Sequence, residues 1–358
     1  MKLILLLMIT LLAACTGPSS SPSTTDGESN IPTNDEAGFQ VIAKKLQAPW
    51  AIDFYGEIVY ISERNGAIVK IDGTTFTRQK LILNKTLNHV GEGGFLGILL
   101  APDYSTTKQA YAYYTYKDEG NTYNRVVLLQ ENAEGWKEVK AFIDRIPGSN
   151  VHNGGRLAFG PDHKLYVTTG DSSKGELSQD LKSLGGKILR MTLNGAIPSD
   201  NPFAHSYVYS YGHRNSQGIV WDSQGQMYET EHGPSGSPGG HDEINRIEPG
   251  KNYGWPTVIG DEKHAGMMNP LYHTGDTAIA PSGIAIGLDN QLLIAALRGQ
   301  KLFKYDPKTK QMKVILENQG RLRDVKIHNG KTFVITNNTD GRGVPSDEDD
   351  RLLSGIIK

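Results

Sequence analysis

The sequence predicts an all-β fold, a six-bladed β-propeller, on three observations. Helical periodicity is hard to find from residue 38 onward, while short apolar runs alternate with turn residues to the C-terminus. A theme of apolar strand, turn with Asp or Gly, and second strand rich in aromatic and β-branched residues recurs in six copies. Equivalent apolar positions, Ala51, Ile98, Leu157, Ile219, Ile284 and Val325, lie roughly 41 to 65 residues apart, the length of a four-stranded blade with its loops. A β-sandwich needs only about seven strands in roughly 100 residues and would not repeat at this period.

The copies follow in order. "WAIDFYGEIVYISERNG" begins at Trp50 and turns at Gly56, and "LGILLAPDYSTTKQAYAYYTY" begins at Leu96 and turns at Asp103. "GRLAFGPDHKLYVTTGD" from Gly155 turns at Asp162, and "QGIVWDSQGQMYETEHG" from Gln217 turns between Asp222 and Gly225. "SGIAIGLDNQLLIAALRG" from Ser282 turns at Asp289, and "LRDVKIHNGKTFVITNN" from Leu322 turns at Gly330. The long interval between residues 220 and 280 implies a large insertion on the face where a propeller carries its binding site.

Ahead of the repeats, residues 1–14 combine Lys2 with a short apolar run ending in Leu-Ala-Ala, the pattern of an export signal. Cys15, the sole cysteine, stands where a bacterial lipoprotein signal places the cysteine that is lipidated after cleavage, a resemblance of composition, position and spacing. Residues 15–37 are nearly all Ser, Thr, Pro, Gly, Asn and acidic residues, with too little apolar surface to offset ordering entropy, and read as a tether. Residues 38–358 then form the propeller domain, without internal disulfides and held outside the cytoplasm at a membrane by the lipid anchor.

A net charge of −2, with Lys and Arg spread along the chain, excludes a global basic field for nucleic acid. Any anionic ligand must be held locally. Four clusters flank the repeated strands. His152, before Asn153-Gly154-Gly155, faces Asp171 across one hairpin, so that Asp171 can hold one ring nitrogen and leave the other basic. The same spacing fits a loop histidine satisfied by backbone groups, and these residues alone leave both readings open. Arg214 and Asn215 in "YGHRNSQG" suit stabilisation of a developing oxyanion, or an ordinary surface loop. Residues 229–256 are dense in oxygen ligands and glycines, with Gly233 and Pro234 offering adjacent carbonyls, which suits calcium. Zinc through His232 and His241 fits no short ligand spacing, and a loop without metal is also open. Arg298 and the alternating pair Arg321 and Arg323 form a basic group able to grip carboxylate or phosphate, or sit on a solvated edge.

Together the motifs "GEGGFLGILLAPDY", "HNGGRLAFGPD", "YGHRNSQG", "EHGPSG" with "DEINRIEPGKNYGWP", and "GRLRDV" resemble the glucose/sorbosone dehydrogenase family over residues 40–356. The resemblance implies soluble-type aldose dehydrogenases that use pyrroloquinoline quinone (PQQ) on a six-bladed propeller. It implies that His152 is the base, oriented by Asp171, that Arg214 polarises the quinone oxygen and that Asn215 binds the cofactor. Gly233 and Pro234 would face a cofactor-linked calcium, Glu243 and the Tyr253 region a second, structural calcium, and Arg298, Arg321 and Arg323 the cofactor carboxylates. Three positions depart from well-studied relatives: Glu92 replaces Gln beside the cofactor, Arg298 often-found Lys, and Val151 an Asp. An aldose at C1 is the expected substrate, the lactone the product and an external molecule the electron acceptor. The competing readings are a propeller that binds glycan or protein without catalysis, and a metal-dependent lactonase.

Overall fold

The computed structural model describes residues 38–236 and 239–357; the expected leader, Cys15 and the whole of the tether lie outside the described residues. The fold is all-β, with only two four-residue helical turns, Tyr104–Thr107 and Glu176–Gln179, among the described residues. No described helix is long and apolar enough to cross a membrane.

Each repeat copy supplies the first two strands of a four-stranded antiparallel unit. Pro49–Tyr55 and Ile58–Glu63 continue into Ala67–Asp72 and Thr75–Ile82. Phe95–Leu100 and Gln109–Asp118 continue into Asn121–Asn132 and Gly135–Pro147. These two units merge into one eight-stranded sheet through a short parallel pairing of Leu81 and Ile82 with Trp136 and Lys137. The other sheets begin at Leu157–Phe159, Ser216–Trp221, Pro281–Ile286 and Leu322–His328. The last of these takes its outer strand, Gln40–Ala43, from the other end of the chain, paired with Leu352–Gly355.

The six apolar positions that recur in the sequence are all buried on first strands. The starts of these strands are buried at nearly every position, because a strand packed between neighbouring sheets is covered on both faces. The first strands also touch one another in cyclic order, the Leu322–His328 strand returning to Pro49–Tyr55. Close approach needs small residues: a Cβ on Gly97 would meet Gly155 O at 2.3 Å, and one on Gly218 would meet Ser282 O at 2.4 Å. Five of the six first strands have a register shift near their start, which bends the strand and re-aims side chains there.

Candidate active site

A cleft of about 350 Å³ opens beside these strand starts, lined by Glu92, His152, Arg214, His232, Arg321 and Arg342, with Arg298, Asp242 and the 233–236 loop. A depression at Leu288, Leu293 and Ile327 has no comparable convergence of charged groups.

The hairpin reading of His152 and Asp171 holds geometrically: Nδ1 lies 2.7 Å from Asp171 Oδ1. Two residues after the hairpin's second strand, Leu165–Thr168, a Cβ on Gly170 would strike His152 O at 1.9 Å, so only glycine lets the two loop ends meet. His152 itself is left-handed, with φ 56°. Asp171 is fixed from every side, because Oδ1 also accepts the Ser173 N–H at 2.7 Å and Oδ2 accepts the Trp255 indole N–H at 2.8 Å. With the carboxylate on Nδ1, the network assigns the proton there, and Nε2, which has no hydrogen bond among the described residues, carries a lone pair.

Arg214 spans the cleft wall. Its Nη1 donates to His232 O at 3.2 Å, its Nη2 to Ser235 Oγ at 3.0 Å, and its guanidinium lies 5.3 Å from the Trp255 ring. Asn215 accepts the Gly154 N–H on Oδ1 at 3.1 Å. Among the described residues, Arg214 Nε, Asn215 Nδ2, Arg321 Nε and His232 Nε2 are buried without a partner. An orphaned buried polar group costs about 1–3 kcal/mol, and three of these four atoms belong to residues that line the cleft, Arg214, His232 and Arg321.

Arg321 and Arg323 share a face, as strand alternation predicts, and both turn to Asp340, at 3.0 and 3.8 Å. Arg321 lines the cleft, whereas Arg323 lies buried, bonded to Asn337 Oδ1 and to Gln217 Oε1. Burial lowers the Arg323 pKa to about 9, so it stays cationic near neutral pH. Arg298 is exposed on the rim. Glu92 accepts the His152 backbone N–H at 2.9 Å and Arg342 Nη1 at 2.5 Å. Burial alone would raise its pKa, yet His232, Arg342 and that amide bring it down to about 2. Burial lowers the His232 pKa to about 4, so that ring is neutral at pH 7; Arg342 is the cation bonded to Glu92, and Arg64, Arg214 and Arg323 lie near enough to bear on its charge.

Gly233 and Pro234 also line the cleft, between the His232 and Ser235 groups that Arg214 bonds. The Gly233 N–H donates to Asp242 Oδ1 at 2.8 Å, and Asp242 Oδ2 accepts the Ile279 and Ala280 amides at 2.6 and 2.8 Å, which pins the loop. A Cβ on Gly233 would lie 2.0 Å from Gly240 O. Glu243 belongs to a separate buried cluster. In the strand register Glu229 stands opposite Asn245 and Glu231 opposite Glu243, and His213 joins Glu231 at 3.2 Å. Asn245 Nδ2 donates to Glu229 and Glu243 at 3.1 and 3.0 Å, while Asn245 Oδ1 and Glu229 Oε1 are buried without partners. Burial raises all three carboxyl pKa values, that of Glu231 to about 8. Carboxylate and amide oxygens in this number suit a hard divalent cation. The Tyr253 ring stacks on His213 at 4.8 Å, but its hydroxyl is used by Arg246 O and the Glu248 N–H.

Sequence reasoning missed Trp255, His213, Glu229, Glu231, Asp340 and Arg342 as parts of these sites. Glu229 and Glu231 carried a signal, since alternate acids on one strand share a face. Arg342 carried none, being 250 residues from Glu92.

The fold and cleft define a class: an all-β protein with an arginine-lined cleft beside a carboxylate-held histidine. The family model for Glucose / Sorbosone dehydrogenase matches residues 46–346, and the chain belongs to that family. It is 28% identical over 346 residues to aldose sugar dehydrogenase YliI of Escherichia coli (strain K12), covering 84% of this chain and 90% of that one. It is 31% identical over 212 residues to quinoprotein glucose dehydrogenase B of Acinetobacter calcoaceticus, covering 51% of this chain and 44% of that one. Among solved structures, the PQQ-bound aldose sugar dehydrogenase of Streptomyces coelicolor is similar, with a TM-score of 0.82 and 37% identity over 90% of this chain and 98% of that one.

Proposed function

We propose that this chain is a PQQ-dependent aldose sugar dehydrogenase that oxidises the sugar at C1 to the lactone and hands electrons to an external acceptor. The observation that carries the reading is His152, held on Nδ1 by Asp171 with Nε2 open to a cationic cleft. The quinone-bound relative from Streptomyces coelicolor supports the choice of cofactor. We read the cyclic contacts of the first strands, with four-stranded units behind them, as a six-bladed propeller whose cleft lies over the ring.

The residues fit the cofactor. Arg214, Arg298 and Arg321 would hold its carboxylates and oxygens, Asn215 Nδ2 supplies a free donor, and Arg323 supports Arg321 from below through Asp340. Gly233 and Pro234 would hold a calcium against it, and the Glu229, Glu231, Glu243 and Asn245 cluster a second, structural one. When bound, the quinone supplies the acceptor for the C1 hydrogen and the calcium a Lewis acid beside it. His152 Nε2 takes the C1 hydroxyl proton as the carbonyl forms, and Asp171 stabilises the resulting imidazolium. Trp255 and Ser173 hold the Asp171 carboxylate aimed at His152 Nδ1.

The purified metal-free domain is expected to reduce an artificial dye with aldose only after quinone and calcium are both added. His152→Ala should then lower kcat by about 10²–10⁴-fold. Absence of rescue at saturating quinone, or full activity in His152→Ala, refutes the reading.

A further inference from the structure

Glu92 occupies a place where a carboxylate is costly: its side chain is 16% exposed and lines a cleft read as taking an anion. Its two oxygens are committed to different partners. Oε2 accepts the backbone N–H of His152, and Oε1 accepts Arg342 Nη1. The Glu92 backbone N–H also donates to Asn150 O at 2.7 Å, so the loop before His152 is tied to Glu92 twice. This matters because His152 stands in the left-handed region at φ 56°, a conformation less favourable for a residue with a side chain than the right-handed or extended ones, and these bonds help to hold it.

Arg342 arrives on the turn after strand Lys331–Thr336. Its own N–H donates to Asp340 Oδ1 at 2.9 Å, and Asp340 Oδ2 receives Arg321 Nη2. One short turn therefore brings a carboxylate to an arginine of the cleft and an arginine to its carboxylate. Arg342 is half exposed, so its pairing is open to screening by salt.

We propose that Glu92 and Arg342 act as one positioning unit: Glu92 holds the backbone of His152, and Arg342 neutralises that carboxylate so that an anion can occupy the cleft beside it. The identity of the anion rests on the quinone reading; the pairing itself does not. A glutamine at position 92 accepts the same N–H through its amide oxygen without bringing a charge, so the need for Arg342 is conditional on Glu92.

The test uses the full chain with Glu92→Gln, Arg342→Ala and both together, followed by absorbance titration with PQQ in calcium and by urea unfolding. Arg342→Ala should weaken quinone binding by about tenfold or more, a loss that shrinks at high salt. Adding Glu92→Gln to Arg342→Ala should restore most of that affinity. Glu92→Leu, which cannot accept the His152 N–H, should lower kcat more than it changes the aldose KM and should move the pH-rate limb of the base. Quinone affinity unchanged in Arg342→Ala, or no better in the double variant than in Arg342→Ala, overturns the proposal. If the wild-type chain binds no quinone, the functional reading fails and the unfolding cycle decides the pair: non-additive effects support it and additive effects overturn it.

Discussion

Glu231 and Glu243 stand directly opposite each other on adjacent antiparallel strands, with Glu229 two residues away on the same face. Like charges in such a pair repel, and burial adds a desolvation cost that a bound cation would remove. Calcium should therefore stabilise the metal-free domain, by about 2.7 kcal/mol at one hundred times its Kd. Thermal unfolding with and without chelator measures this. Because Gly233 and Pro234 are a second proposed calcium site, the comparison includes Glu229→Gln, which should keep only part of the rise in Tm. Equal calcium responses in the two proteins would remove Glu229 from the ligand set. At the same scale, His152 with Asp171 was legible in the sequence, because both flank one hairpin. The Trp255 bond to Asp171 was not, since 84 residues separate them.

At the scale of elements, one buried ion pair ties four first strands together. Asp324 Oδ2 accepts Arg156 Nη1 at 2.9 Å and the Ile52 N–H at 2.9 Å, while Arg156 Nε donates to Gln217 O at 2.8 Å and its guanidinium lies 4.3 Å from the Trp50 ring. These contacts join the strands holding Ile52, Gln217 and Asp324 to the start of Leu157–Phe159. Asp324→Ala leaves the Arg156 charge buried and unpaired, and urea unfolding should show a loss of about 3–5 kcal/mol. Replacing both with apolar residues, as Arg156→Met with Asp324→Leu, should recover much of it. A loss below about 1 kcal/mol in Asp324→Ala would show that this pair does not bind the strands. Repeats and turns placed every one of these strands in the sequence, but not the polar bonds between them.

For the whole molecule, the Gln40–Ala43 strand pairs with Leu352–Gly355 and brings the two ends of the described fold into one sheet. Near-zero net charge gives the domain no general affinity for an anionic membrane surface. We propose that membrane attachment resides in lipidation of Cys15 after removal of residues 1–14, with the domain held outside the cytoplasm. Cys15→Ser should move the protein from the membrane fraction to the soluble fraction, as measured by detergent partitioning. Equal partitioning of both forms would sink the anchor.

Local pattern by itself determined the all-β class, the six strand pairs and the hairpin that presents His152 to Asp171. Period-two alternation and turn residues act over a few positions, and a linear chain displays them directly. Tertiary structure decided that Arg342 answers Glu92, that Asp340 serves Arg321 and Arg323, and that Glu229, Glu231, Glu243 and Asn245 share one buried cluster. Arg342 and Glu92 stand 250 residues apart, and only the cyclic packing of the repeats brings them within bonding distance. The other two groups form within one repeat, by strand register for Glu229 to Asn245 and by the turn after Lys331–Thr336 for Asp340, where burial makes each unpaired charge costly enough to select its partner.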